Sequence, residues 1–298
     1  MNATLFVGDV SLDLSLAMSH VPDLDEKVHC IGAEESVGGV VANTAVAFAR
    51  AGGQARLLVQ LGSDHASTYV REVLCQEELT LLAAESPGKL CRVVTLLEPH
   101  GEKRLLLYPG VSLYPSPDVV GSSDLTGVRH VHTACFGPAA EVLIDRARAS
   151  GRAWSIDLEP ASFASGINSL AKMIDGARIL FVNDRAAQAI GGNAVERLFA
   201  MGAHAIVRTR GAAGAEFHSA GNVVSAPPPS GLPILDTTGA GDCLAGWLLA
   251  GLEAGLDAAV SLKRAVRAAT ISCGRFGAQT AYPTATELQS LYDQEEVQ

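Results

Sequence analysis

The feature that most constrains this 298-residue chain is the alternation of short apolar runs with alanine-rich stretches of helical spacing. Leu5-Phe6-Val7, Arg56 to Leu61, Val128 to His132, Trp154 to Asp157, Ile179 to Val182 and Ala205 to Arg208 read as buried strands bounded by Gly, Asp or Asn. Between them, Asn43 to Ala51, Thr68 to Glu78, Ala139 to Ser150 and Ala194 to Met201 have helical composition and spacing. Strands that are apolar throughout are covered on both faces, and strands alternating with helices predict a mostly parallel central sheet with helices on both faces. With 48% hydrophobic residues, the chain can fill one large core, so a single α/β domain over 1–298 is expected. Ligands of such sheets gather at the carboxyl ends of the strands.

Two segments, about 11–37 and 89–110, break the rhythm. The first is polar and carries a proline where a first helix should stand; the second reads as two alternating strands around Pro99-His100-Gly101-Glu102. Each run is too short for a core of its own. Together they predict one small β-sheet built from two excursions, packed over the edge of the main domain as a lid. Pro227-Pro228-Pro229-Ser230-Gly231 reads as a stiff loop, because a strong helical pattern resumes directly after it.

A formal net charge of -10, with no run of Lys and Arg longer than a pair, disfavours a nucleic acid or an anionic membrane as partner. A small molecule fits better. Cys30, Cys75, Cys91, Cys135, Cys243 and Cys273 are scattered without a Cys-x-x-Cys pair, which argues for reduced thiols, mostly buried, rather than zinc or disulfides. Met1 to Val7 lacks the features of a signal peptide, and no apolar run reaches the roughly 20 residues that cross a bilayer. The expected compartment is the cytoplasm.

The stretch richest in chemistry is Asp236-Thr237-Thr238-Gly239-Ala240-Gly241-Asp242, followed by the apolar helix Cys243-Leu244-Ala245-Gly246-Trp247-Leu248-Leu249. Small residues leave the N–H groups of 239–241 unshielded, and a starting helix aims its unpaired N–H groups and positive dipole end the same way. That makes a pocket for an anion. An aspartate in the first turn competes with the anion unless it has a task, such as taking a proton from an attacking hydroxyl. Its plain alternative is a helix cap beside a tight turn. No Gly-x-Gly-x-x-Gly follows a strand, as a nicotinamide-dependent dehydrogenase would need, and Gly88-Lys89 lacks the upstream Gly and following Ser or Thr of a Walker loop.

The seven-residue string resembles the C-terminal signature of the ribokinase-like, or PfkB, family of carbohydrate kinases, and the resemblance spans nearly the whole chain. Gly8-Asp9-Val10-Ser11-Leu12-Asp13 looks like the family's first segment, which implies that Asp13 binds sugar hydroxyls. Gly38-Gly39-Val40-Val41-Ala42-Asn43, with Ala51-Gly52-Gly53 after it, resembles the first signature. There Gly38 and Gly39 let the backbone approach the substrate and Asn43 hydrogen-bonds it. Thr209-Arg210-Gly211-Ala212-Ala213-Gly214 is similar to the nucleotide-binding turn, implying contacts from Thr209, Gly211 and Gly214, with Asn183 beside them. Arg275-Phe276-Gly277-Ala278-Gln279 resembles a loop that holds potassium in many relatives, so Asp236, Thr238, Ser272 and Gly277 form a candidate potassium site.

The resemblance implies an ATP- and Mg2+-dependent phosphotransferase acting on a hydroxyl of a small sugar or sugar-like molecule, a nucleoside being the alternative. Asp242 would be the base, and the N–H groups of Gly239, Ala240 and Gly241 would face the transferring phosphoryl. Exposed lid edges would allow a homodimer. Three departures matter. Ala186 stands in Asn183-Asp184-Arg185-Ala186 where relatives carry glutamate, with Asp184 or Glu159 as stand-ins for organising magnesium; the loss also gives some support to a non-catalytic sensor. Val40 stands where several relatives acting on ribose or sugar phosphates carry lysine, which favours an uncharged sugar, a sugar acid or a nucleoside. Lys103 and Arg104, in the lid hairpin, are the cations placed to reach an anionic group, Arg104 being the one that adjoins apolar residues.

Overall fold

The computed structural model describes residues 3–99, 103–134 and 137–295. His100, Gly101 and Glu102 of the expected turn, and Cys135, lie outside the described residues. The strands are β1 (Ala3–Gly8), β2 (Ser11–Ala17), β3 (Gly32–Gly38), β4 (Ala55–Leu61), β5 (Leu79–Glu85), β6 (Arg92–Leu97), β7 (Lys103–Tyr108), β8 (Val128–Thr133), β9 (Ala153–Leu158), β10 (Ile179–Asn183), β11 (Ala205–Thr209), β12 (Ala215–Ser219) and β13 (Asn222–Ala226). The helices are α1 (Val40–Arg50), α2 (His65–Cys75), α3 (Pro117–Ser122), α4 (Gly137–Ala149), α5 (Ala171–Ile174), α6 (Asp184–Ile190), α7 (Ala194–Ala200), α8 (Ala240–Glu253), α9 (Ala258–Ser272) and α10 (Ala285–Glu295). Among the described residues no helix is long and apolar enough to cross a membrane.

A nine-stranded sheet runs β13-β12-β11-β10-β9-β8-β1-β4-β5, parallel from β11 to β5 and closed at one edge by the antiparallel hairpin β12–β13. Side chains alternate across it. Phe6, Leu57, Phe181 and Val207 point to the face covered by α1, α8 and α9; Leu5, Val131, Ile156, Leu180 and Ile206 point to the face covered by α4, α6 and α7. The apolar pattern missed β5 and β12–β13. Leu-Thr-Leu-Leu-Ala-Ala-Glu in β5 has little β-branching, and Glu216, His218 and Ser219 make β12 too polar to read as a core strand.

A second, four-stranded sheet runs β3-β2-β6-β7, with β2 parallel to β6 and both outer pairs antiparallel. The chain passes between the two sheets four times: after β1, at Gly39, between β5 and β6, and after β7.

Two histidines lie fully buried in β8. His130 Nε2 and His132 Nδ1 sit 2.7 and 2.8 Å from Ser155 Oγ, and the His132 ring packs between Phe6 and Phe181. Burial holds both rings neutral, moving the His132 pKa down to about 3 and that of His130 well below its usual range. A depressed histidine pKa contributes stability above the unfolded value near 6.5 that is lost as pH falls below it, at about 1.4 kcal/mol per pH unit for one ring. Denaturant titrations of the parent and a His132→Phe variant should therefore diverge between pH 7.5 and 5.5, the parent losing more. Parallel profiles would show that the ring does not control acid stability.

Candidate active site

The first wall of the site is built where β1 gives way to β2. Asp9 is buried at the end of β1, and its carboxylate accepts hydrogen bonds from Val40 N (2.9 Å) and Val41 N (3.0 Å), tying the start of α1 to the strand end. Gly39 makes the entry to α1 with φ of 105°, and a Cβ there would lie 2.6 Å from Asp9 O. Gly38 faces Ser11 across the β2–β3 ladder, and a Cβ on it would fall 2.1 Å from Asp13 Oδ2. The missing side chain makes room for that carboxylate. Asp13 accepts a hydrogen bond from Ser11 Oγ at 2.5 Å, and burial pushes its pKa up to about 6. A carboxylate so placed can accept hydrogen bonds from hydroxyls.

The second wall is the start of α8. Gly239 enters the helix with φ of 72°, and a Cβ on it would lie 2.3 Å from the Tyr282 hydroxyl oxygen, which donates to Gly239 O at 2.9 Å. Gly241 has open space above its Cα, and Asp242 lies in the first turn. Of the three N–H groups expected to face an anion, that of Ala240 already donates to Thr237 O at 3.3 Å. Those of Gly239 and Gly241 have no protein partner among the described residues.

Asn43 joins the two walls. From the first turns of α1, its Nδ2 donates to Asp242 Oδ2 at 2.8 Å, while its Oδ1 accepts from Gln279 Nε2 at 3.0 Å. The amide is engaged at both ends and orients the aspartate, leaving one N–H for a ligand. Arg50, at the other end of α1, donates to Gln279 O (2.7 Å) and Tyr282 O (2.8 Å) and is itself held by Glu77. Gln279, Tyr282 and Arg50 were not singled out in the sequence as parts of this site.

Nor was Asp157, one of two carboxylates behind Asp242; the other, Glu159, was named only as a stand-in for organising magnesium. Asp157 lies near the end of β9 and Glu159 just past it; both charges, with that of Asp9, are felt by Asp242, and those of Glu159 and Asp9 by Asp157. Burial, then the Asp157 charge, raises the Asp242 pKa well above the ordinary carboxylate range, against the pull of the Asn43 hydrogen bond. Burial and the Glu159 charge push Asp157 up to about 8. Glu159 is also raised by burial and by Asp9, with the Arg185 charge opposing. Tyr114 completes this wall: burial and the charges of Asp9, Cys91 and Glu159 raise its phenol.

The third wall is made by the ends of β10 and β11. Asn183 caps α6, its Oδ1 accepting from Ala186 N at 2.8 Å. Thr209 ends β11 on the face shared with α8, and the turn that holds Gly211 closes through Arg210 N to Gly214 O at 2.8 Å. Ala186 is fully buried in the second core. Of its two candidate stand-ins, Asp184 pairs with Arg208 at 3.0 Å and lines a groove of about 510 Å³ with Gln188 and Asn193, on the opposite face of the sheet. Glu159 stands with the other site carboxylates.

Asp236 Oδ1 accepts from Thr238 N (2.9 Å) and Thr238 Oγ1 (2.6 Å), and its Oδ2 from Gly277 N (3.0 Å). These three candidate potassium residues meet. Ser272 instead turns its hydroxyl back onto Ala269 O at 2.8 Å. Arg104, on the edge strand β7, pairs with Glu98 just past the end of β6. Among the described cysteines, Cys91, Cys243 and Cys273 are buried, Cys30 and Cys75 are exposed, and all are free thiols.

The chain resembles an ATP-dependent ribose-1-phosphate kinase of Halopiger xanaduensis, with 27% identity covering 96% of each protein. It resembles the aminoimidazole riboside kinase of Salmonella typhimurium equally, at 27% identity over 98% of this chain and 95% of that one. The crystal structure of ribokinase from Cryptococcus neoformans in complex with ADP superimposes with a TM-score of 0.79 at 25% identity, covering 97% and 99% of the two chains. The family model for pfkB family carbohydrate kinases matches residues 1–285. Matched over nearly its whole length, this chain belongs to the pfkB carbohydrate kinases.

Proposed function

We propose that this kinase transfers the γ-phosphoryl group of ATP to a hydroxyl of an uncharged sugar or of a nucleoside. The observation that carries the reading is the Asn43–Asp242 hydrogen bond, which holds a carboxylate of the anion-binding helix against the helix that follows the acceptor wall. In this reading Asp13 accepts hydrogen bonds from the acceptor, and Gly38 and Gly39 let it lie against the backbone. Asp242 takes the proton of the attacking hydroxyl, whose oxygen bonds to the γ-phosphorus as the bond to the β–γ bridging oxygen breaks and ADP leaves. The N–H groups of Gly239 and Gly241 face the transferring phosphoryl, so most of the acceleration is positioning and electrostatics. Asn183, Thr209, Gly211 and Gly214 line the nucleotide's side.

Magnesium fits the site's chemistry, since it keeps several waters and takes one or two carboxylates plus phosphate oxygens. Glu159, with Asp157 behind it, would hold it, and the ion would neutralise charge on the phosphates. An uncharged acceptor is supported by Val40 at the start of α1 and by the carboxylates of Asp9 and Asp13, which repel a phosphate group. The two relatives named above act on a sugar phosphate and on a riboside, so they leave the choice to this chain's own residues.

The small sheet is read as a lid over the acceptor. Its outer strand β7 exposes Leu105, Leu106, Leu107 and Tyr108 beside an unpaired edge, which favours pairing with a second copy. Sedimentation should show a dimer that a Leu106→Lys variant shifts to monomer; a monomeric parent sets that pairing aside.

The test of function is ADP release from ATP and magnesium over a panel of neutral sugars, sugar acids, nucleosides and sugar phosphates, run in potassium and in sodium salts. Turnover confined to neutral sugars or nucleosides supports the reading. Preference for a sugar phosphate overturns the substrate class, and ATP binding without any turnover favours a sensor. A higher rate in potassium would support an ion at the Asp236–Gly277 junction.

A further inference from the structure

We propose that Arg185 binds the phosphates of the nucleotide and brings an uncommitted positive charge to this carboxylate-rich crevice. This rests on the kinase reading and goes beyond it by assigning a residue to phosphate recognition. Arg185 is exposed in the first turn of α6, two residues past the end of β10. The strand ends beside it carry Glu159 on one side and Thr209 on the other, since β10 lies between β9 and β11. Among the described residues the Arg185 side chain makes no hydrogen bond and no ion pair within reach of a carboxylate. The other cations of this edge are taken: Arg208 pairs with Asp184 and Arg210 with Glu216.

The position is mildly unfavourable unless an anion arrives. A cation in the first turn of a helix lies on the unfavourable side of its dipole. With alanine at 186 and Asp184 held by Arg208, no acid of the first turn of α6 compensates it. Its charge is felt by Glu159, whose own charge is felt by Asp242, so Arg185 stands at the strand ends that bound the crevice. ATP must bring its triphosphate into that gap, between the N–H groups of α8 on one side and four carboxylates behind. A guanidinium fork matches two phosphate oxygens and stays charged, so it can offset their repulsion.

The experiment is calorimetric titration of the full-length protein with ADP and with AMP, in EDTA so that no metal contributes, for the parent, Arg185→Ala and Arg185→Lys. The expected result is ADP affinity roughly 10- to 100-fold weaker in the alanine variant, AMP affinity changed much less, and partial recovery with lysine. Equal losses for ADP and AMP, or ADP affinity within about twofold of the parent, would overturn the assignment while parent turnover leaves the kinase reading standing. A parent that neither binds ADP nor turns over overturns both. Melting temperatures within a few degrees of the parent's confirm that the exposed substitutions fold.

Discussion

Replacing Asp242 by asparagine is expected to lower kcat by roughly 10²- to 10⁴-fold, the contribution typical of a positioned general base. Asparagine keeps an oxygen that can accept from Asn43 Nδ2, so the link between α8 and α1 survives and ADP affinity and melting temperature should change little. Turnover within about tenfold of the parent would remove Asp242 from the base's role. The pH profile gives a second readout. Burial and the Asp157 charge raise the Asp242 pKa, so it stays protonated, and useless as a base, to a higher pH than an ordinary carboxylate. The rate of the parent should therefore fall as pH is lowered through a limb well above the usual carboxylate value near 4. The residual rate of Asp242→Asn should lack that limb.

Gly246→Ala is the second change with a large expected effect. A Cβ at 246 would lie 2.5 Å from Thr44 O and 2.6 Å from Phe48 N, both backbone atoms of α1, so α8 cannot accept it without moving away. Alanine in a helix is favoured over glycine by about 1 kcal/mol, but overpacking against rigid backbone costs about 1–3 kcal/mol or more. Destabilisation should win. Separation of the helices also stretches the Asn43–Asp242 contact, and misplacement by about 1 Å can cost on the order of 100-fold in rate. Thermal melts and kcat should fall together; an unchanged melt with normal turnover would mean that the two helices are free to shift at no cost.

What could be read from the sequence was local. The start of α8, the Gly38-Gly39 entry to α1 and the parallel strands rest on patterns within a few residues, where backbone conformation and burial leave a direct mark. The partners of Asp242 left none. Asn43 lies 199 residues away from it, and Gln279 lies 236 residues beyond Asn43, so their hydrogen bonds exist only once α1, α8 and the segment before α10 are packed. Asp157 and Glu159 look in sequence like the polar end of a strand; their importance comes from sharing one crevice with Asp9 and Asp242. Ala186 was visible as a departure, but the surroundings of the two acids near it were not: Asp184 pairs with Arg208, and Glu159 stands among the other site carboxylates. The Arg104–Glu98 pair is of the same kind, since it forms only when β6 and β7 are brought side by side.

The four crossings between the sheets limit how the small one can travel. A flap joined at one point is free to swing through a wide arc, whereas a plate tied at four places, with β2 and β6 side by side although they come from separate excursions, is restrained on every side, so any shift of one excursion has to carry the other with it.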